Sequence, residues 1–144
     1  MYYLQQVGYD VAVVQNDDLQ TICDTSNNMP ADLFISIHCN SAADSSALGT
    51  EVWYCDGSVQ GAKLAQCIDT EIINALHTVD RGIKDAVPHQ NGLYVLTNTN
   101  AVAVLVETAF ISNAEDEPLL ASANGRDSFA RAIARGITDY AANI

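Results

Sequence analysis

The run Ala101 to Glu107, AVAVLVE, constrains this chain more than any other segment. Six consecutive apolar residues, three of them valine, are too few to cross a membrane. They lack the alternation that would leave one face to water, so they read as the central strand of a sheet covered on both sides. Leu33 to Cys39 (LFISIHC) has the same character and reads as a second strand covered above and below. Gly49 to Cys55 (GTEVWYC) alternates more and is expected to be a less buried strand. From Gly61 onward, Leu64, Ala65, Ile68, Ile72 and Leu76 recur at helical spacing, which predicts an amphipathic helix to about Leu76. Phe129, Ile133, Ile137 and Tyr140 share one face of a final helix, with Asp127 as its expected cap. Strands alternating with helices give an α/β fold: a single three-layer domain, residues 1–144, with a mostly parallel, twisted sheet flanked by helices.

The remaining segments carry weaker signals. Met1 to Val7 reads as the last turns of a helix ended by Gly8, and Tyr9 to Val14 as a short strand. His77 to Asn91 is expected to be a loop around Pro88, and Leu93 to Leu96 (LYVL) a short strand. Asn113 is the expected cap of a short helix through Leu119 and Leu120, with acids favoured in its first turn.

Composition removes several classes of function. Hydrophobic residues make up 49% of the chain, enough for a core without staples. Six Lys and Arg against eighteen Asp and Glu leave a net charge of −12, and Lys63, Arg81, Lys84, Arg126, Arg131 and Arg135 are scattered, so no nucleic-acid surface is expected. No apolar run approaches the ~18 residues of a membrane span, and MYYLQQ is not a signal peptide. Cys23, Cys39, Cys55 and Cys67 have no zinc-finger spacing and are expected to pack as small hydrophobes.

Two polar residues each end an otherwise apolar strand: His38 and Glu107. Ligands of open α/β sheets gather at the carboxyl ends of strands, so neighbouring parallel strands would deliver an imidazole and a carboxylate to one crevice. That pair suits a metal site or acid–base chemistry; the plainer alternative is a core histidine and a helix-capping glutamate. Partial burial would raise the Glu107 pKa toward the range of a general base. Asn40 lies two residues beyond His38, on the same face, and either orients a ligand or substrate or is a turn residue. A cysteine hydrolase using Cys39 with His38 fails because adjacent strand residues point to opposite faces. A nucleotide-binding domain lacks its glycine-rich loop.

Six segments, Gly8 to Val11, Ala31 to Asn40, Gly49 to Tyr54, Arg81 to Lys84, Val95-Leu96 and Leu105 to Glu117, stand in the order and spacing of a known pattern. With SIHCNSA, GTEVWY and LVETAFISNAEDEPLL among them, the chain resembles the zinc-dependent N-acetylmuramoyl-L-alanine amidases of the third amidase family, the peptidoglycan hydrolases of bacteria and phage lysins. The resemblance implies that His38 is a ligand to Zn2+ and Glu107 the catalytic glutamate. It also implies a reaction, hydrolysis of the amide between N-acetylmuramic acid and L-alanine by a zinc-activated water. The implied partners are the muramoyl group and stem peptide of peptidoglycan, and the implied place of action is outside the cytoplasm, in the cell wall or periplasm.

The sequence departs from that pattern in one large way. Relatives begin with a strand ending in a Gly-His-Gly type motif and a helix bearing a glutamate, which supply two further zinc ligands; Met1 to Val7 matches only the end of that helix, so the domain is expected to be N-terminally truncated relative to the family. His77 and His89 are the spare imidazoles. Arginines expected near Gln15 and before Ala31 are absent, and Ala109 replaces a glycine, where a positive φ would strain an alanine. A metal-poor remnant that binds peptidoglycan without cutting it is therefore the alternative function. A sheet without its first strand would also expose an edge that another copy could cover, giving a homo-oligomer.

Overall fold

The computed structural model describes residues 1–91 and 93–143. Its elements in chain order are α1 (Tyr2–Gln6), α2 (Leu19–Asn28), β1 (Leu33–Asn40), β2 (Thr50–Cys55), α3 (Val59–Leu76), β3 (Asp80–Ala86), α4 (Tyr94–Thr97), β4 (Val102–Phe110), α5 (Glu117–Ala121) and α6 (Ala123–Ala141). The sheet runs β1-β4-β2-β3. β1 pairs with β4 and β2 with β3 in parallel, while β2 and β4 are antiparallel. The expected three-layer α/β domain with a mostly parallel sheet is present.

β4 is interior, as its composition demands. Val104 and Val106 join Val52 against Leu64, Ile68 and Ile72 of α3 and Phe129, Ile133 and Ile137 of α6. Ala103 and Leu105 face the other way, against Cys23 of α2 and Val95 and Leu96 of α4. The period of two along a strand thus builds two separate cores from one apolar run. No helix among the described residues is long and apolar enough to cross a membrane.

α3 and α6 touch through the backbone. A Cβ placed on Gly136 would lie 2.5 Å from the Cα of Ile68. Gly136→Ala is therefore expected to lower stability by about 1–3 kcal/mol, the usual cost of overpacking, although helix propensity alone favours alanine by about 1 kcal/mol. Urea unfolding followed by circular dichroism reads the sign; a variant at least as stable as the parent would refute the close approach.

Several expectations need correction. Tyr9 to Val14 forms no strand, and Val13 is exposed: an apolar stretch without a partner strand has nothing to complete its hydrogen bonds. The expected loop His77 to Asn91 contains β3, whose polar DRGIKDA sequence is tolerated because it is an edge strand paired only with β2. Leu93 to Leu96 lies at the helical turn α4 rather than in a strand. α2 was not anticipated; Asp18 caps it by accepting from the backbone N–H of Gln20 and Thr21. α6 begins one turn before Asp127, capped by Ser122, whose Oγ accepts from Gly125. β1 is also an edge strand, half exposed rather than covered on both faces. Beside it opens a cleft of about 1110 Å³ that reaches His38. Of the cysteines, Cys23 is buried, Cys55 and Cys67 partly so and Cys39 exposed; all are free thiols.

Candidate active site

Backbone register alone brings His38, Glu107 and Glu51 into one row. His38 is the partner of Glu107 across the parallel β1–β4 pair, and Glu107 is the partner of Glu51 across the antiparallel β4–β2 pair. Because Ala103 and Leu105 face α2 and α4, the alternation along β4 sends Glu107 to that same side. Arg81 completes the row from β3, at the point where the β2–β3 register slips between Thr50 and Val52.

The bonds within this row are specific. Arg81 donates from Nε to Glu51 Oε2 at 2.8 Å, and the Glu51 side chain is 8% exposed. Glu51 Oε1 accepts from Trp53 Nε1 at 3.1 Å and from Asn40 Nδ2 at 3.2 Å. The Arg81 guanidinium lies 4.9 Å from the ring centre of Phe110. His38 Nε2 and Ser36 Oγ share a 2.8 Å hydrogen bond. Asn40 Oδ1 accepts from the N–H of Ser41, so the residue serves a turn while its amide ties β1 to Glu51 of β2.

Glu107 differs from Glu51 in having an unmet need. Its Oε2 is buried without a hydrogen-bond partner among the described residues. Burial, and then the charge of Glu51, push its pKa above the usual glutamate range. A carboxylate so placed gains by taking a proton, which is the property of a general base.

The neighbouring polar residues fix the ends of the strands. Thr108 Oγ1 donates to the His38 carbonyl, and Thr50 Oγ1 donates to the Thr108 carbonyl, each at 2.8 Å. Buried Asp116 accepts from the N–H of Gly49 and of Phe110, both at 2.8 Å, clasping the start of β2 to the end of β4. Gly49 has φ +105°, and a Cβ there would meet the Val79 carbonyl oxygen at 2.2 Å. Asn113 Oδ1 accepts from the N–H of Glu115 and Asp116, so it orders the turn that carries Asp116, and α5 starts only at Glu117. Ala109 is buried without a positive φ, so the strain expected there is absent.

Sequence reasoning paired His38 with Glu107 and missed Glu51 and Arg81 as members of the row. The signal available was Glu51 itself, an acid inside an otherwise apolar strand. His77 (φ +55°) ends α3, and His89 (φ +63°) follows Pro88. Among the described residues no group of three His, Cys, Asp or Glu is arranged to hold a metal ion. His38 offers one imidazole, while both Glu51 oxygens are engaged; a catalytic zinc normally takes three protein ligands. The described residues therefore fit part of a zinc site and do not complete one.

Comparison with known proteins gives a consistent result. The family profile described as N-acetylmuramoyl-L-alanine amidase matches residues 1–139. The N-acetylmuramoyl-L-alanine amidase LytC of Bacillus subtilis (strain 168) is 39% identical over 125 residues, covering 85% of this chain and 24% of that protein. Among solved structures, the amidase AmiC2 of Nostoc punctiforme superposes with a TM-score of 0.87 at 32% identity, covering 98% of this chain and 77% of that one. The N-acetylmuramoyl-L-alanine amidase of Clostridium difficile 630 superposes with a TM-score of 0.78 at 31% identity, covering 87% of this chain and 66% of that one. The chain spans about a quarter to a half of the length of the first curated relatives it matches.

Proposed function

Because the chain belongs to the N-acetylmuramoyl-L-alanine amidase family, we propose that its site hydrolyses the amide between N-acetylmuramic acid and L-alanine in peptidoglycan, with Glu107 as general base. The observation that carries this reading is the buried, unpartnered Glu107 Oε2 in register with His38. Glu107 removes a proton from the attacking water and then delivers it to the departing alanine nitrogen, so the C–N bond breaks without a covalent intermediate. Asn40 and Arg81 hold Glu51 beside the base, keeping like charge near Glu107 and favouring its protonated form after water is deprotonated. His38 is the residue of the row that would hold zinc, and zinc held there would polarise the scissile carbonyl and acidify the water.

Amide cleavage has a distinctive product. Digestion of purified cell walls is expected to release new L-alanine amino termini without new reducing sugar ends; new reducing ends instead would mean glycosidase action, and neither product would sink the reading. A second reading is favoured by the incomplete donor set: a metal-poor domain that binds peptidoglycan without cutting it. Elemental analysis separates the two, with about one zinc per chain expected for the hydrolase and none for the binding module. The place of action under the first reading is the cell wall, outside the cytoplasm. A homo-oligomer, in which a second copy covers the open edge of β1, would appear in light scattering as twice the 15.4 kDa mass.

A further inference from the structure

Arg81 has more donor capacity than its structural partners use. Its Nε is committed to Glu51, Nη1 reaches the Leu48 carbonyl only at 3.5 Å, and the guanidinium rests over Phe110. Five N–H groups are available on a guanidinium, so the outer edge of the fork remains open, among the described residues, on a side chain 37% exposed. Glu51 cannot fold away from it, because both of its oxygens are held by Trp53, Asn40 and Arg81 itself. The result is a fixed cation at the edge of the row that holds Glu107. Such a group suits a planar anion, since a positioned Arg binds a carboxylate through two parallel bonds.

Its distance from the base selects which anion. Glu107 and Glu51 are on adjacent strands, and the Arg81 guanidinium touches the Glu51 carboxylate, placing it one to two strand spacings, about 5–10 Å, from Glu107. Two extended residues span about 7 Å. Counted from an amide at Glu107, that length ends at the second residue of the stem peptide. This residue is a γ-linked D-glutamate whose α-carboxylate is either free, as D-isoglutamate, or amidated, as D-isoglutamine. We propose that Arg81 is a specificity-determining residue of the amidase site, binding the free α-carboxylate of D-isoglutamate, the second residue beyond the cleaved bond. This inference rests on the amidase reading above.

The test compares two muramoyl peptides that differ only in D-isoglutamate against D-isoglutamine, in the parent and in Arg81→Lys and Arg81→Met. The parent should favour the free acid by about tenfold or more in kcat/KM, mainly through KM. Arg81→Met should abolish the preference, and Arg81→Lys should retain part of it. Damage to the fold from leaving Glu51 unpaired would depress both substrates together and cancel in the ratio. An unchanged ratio in Arg81→Met, or a parent with no preference for the free acid, overturns the proposal. If the parent cleaves neither peptide, the amidase reading fails, and the same ratio measured from equilibrium binding by calorimetry still decides whether Arg81 recognises the carboxylate.

Discussion

Glu107→Gln is expected to reduce release of L-alanine-terminated peptides from cell-wall substrate by about 10²–10⁴-fold, the usual contribution of a positioned general base. The substitution keeps size and shape and removes only the ability to hold a proton. Substrate affinity should change little, so the loss should fall on kcat. The fold should be unharmed, because the parent carboxylate is buried with an unpartnered oxygen beside another acid, and a neutral amide escapes both penalties. An amide at position 107 can also donate toward Glu51. Thermal unfolding of the variant should therefore occur at or above the parent temperature. In the parent, the rate should fall on acidification at a higher pH than an ordinary glutamate would give, since the base works only when ionised and its pKa is raised. Activity retained in Glu107→Gln would remove this residue from its proposed role.

The row containing Glu107 was half legible in the sequence, and the reason is physical. β4 could be read because an interior strand needs apolar residues at consecutive positions, and β1, although it is an edge strand, carries a comparable apolar run; a polar residue at the end of such a run stands out. That logic placed His38 and Glu107 side by side, as the register does. It fails on β3, an edge strand without such a run. β3 requires only one pairing partner, so DRGIKDA contains a single large apolar residue, Ile83, and resembles a loop. With β3 unseen, Arg81 had no position, and Glu51 had no visible counter-ion. The opposite error occurred at Tyr9 to Val14 and Leu93 to Leu96, where short apolar runs carried no information about partners: one stays irregular and the other falls at a helical turn. α2 was invisible for a related reason, since its apolar side comprises little beyond Ile22 and Cys23.

Asp69→Asn should stabilise the protein at neutral pH by up to about 3 kcal/mol, the equivalent of moving an aspartate pKa from 3.8 to about 6. Asp69 lies on α3, 2% exposed, with Oδ1 lacking any partner among the described residues. Burial is the main cause of its raised pKa, followed by the charge and hydrogen bonding of Asp80, the first residue of β3; Lys84 pulls weakly in the other direction. The unfolded chain releases this proton near the ordinary aspartate value, whereas the folded chain keeps it to about pH 6. Between those points the folded state binds more protons, so stability from this group is greatest below about pH 4, falls as pH rises to about 6, and is level above. Asparagine cannot ionise and can donate to Asp80. The gain over the parent should therefore be full at pH 7.5 and shrink toward zero near pH 4, as read by urea unfolding at a series of pH values. A variant less stable than the parent at pH 7.5 would mean that the ionised carboxylate is satisfied by a group or ion that its burial does not reveal. Because Asp80 directly precedes Arg81, cleavage kinetics of the same variant test whether this unfavourable charge is confined to the α3 side of the sheet. Unchanged kcat and KM are expected, since Arg81 is held from the other side by Glu51 and Phe110.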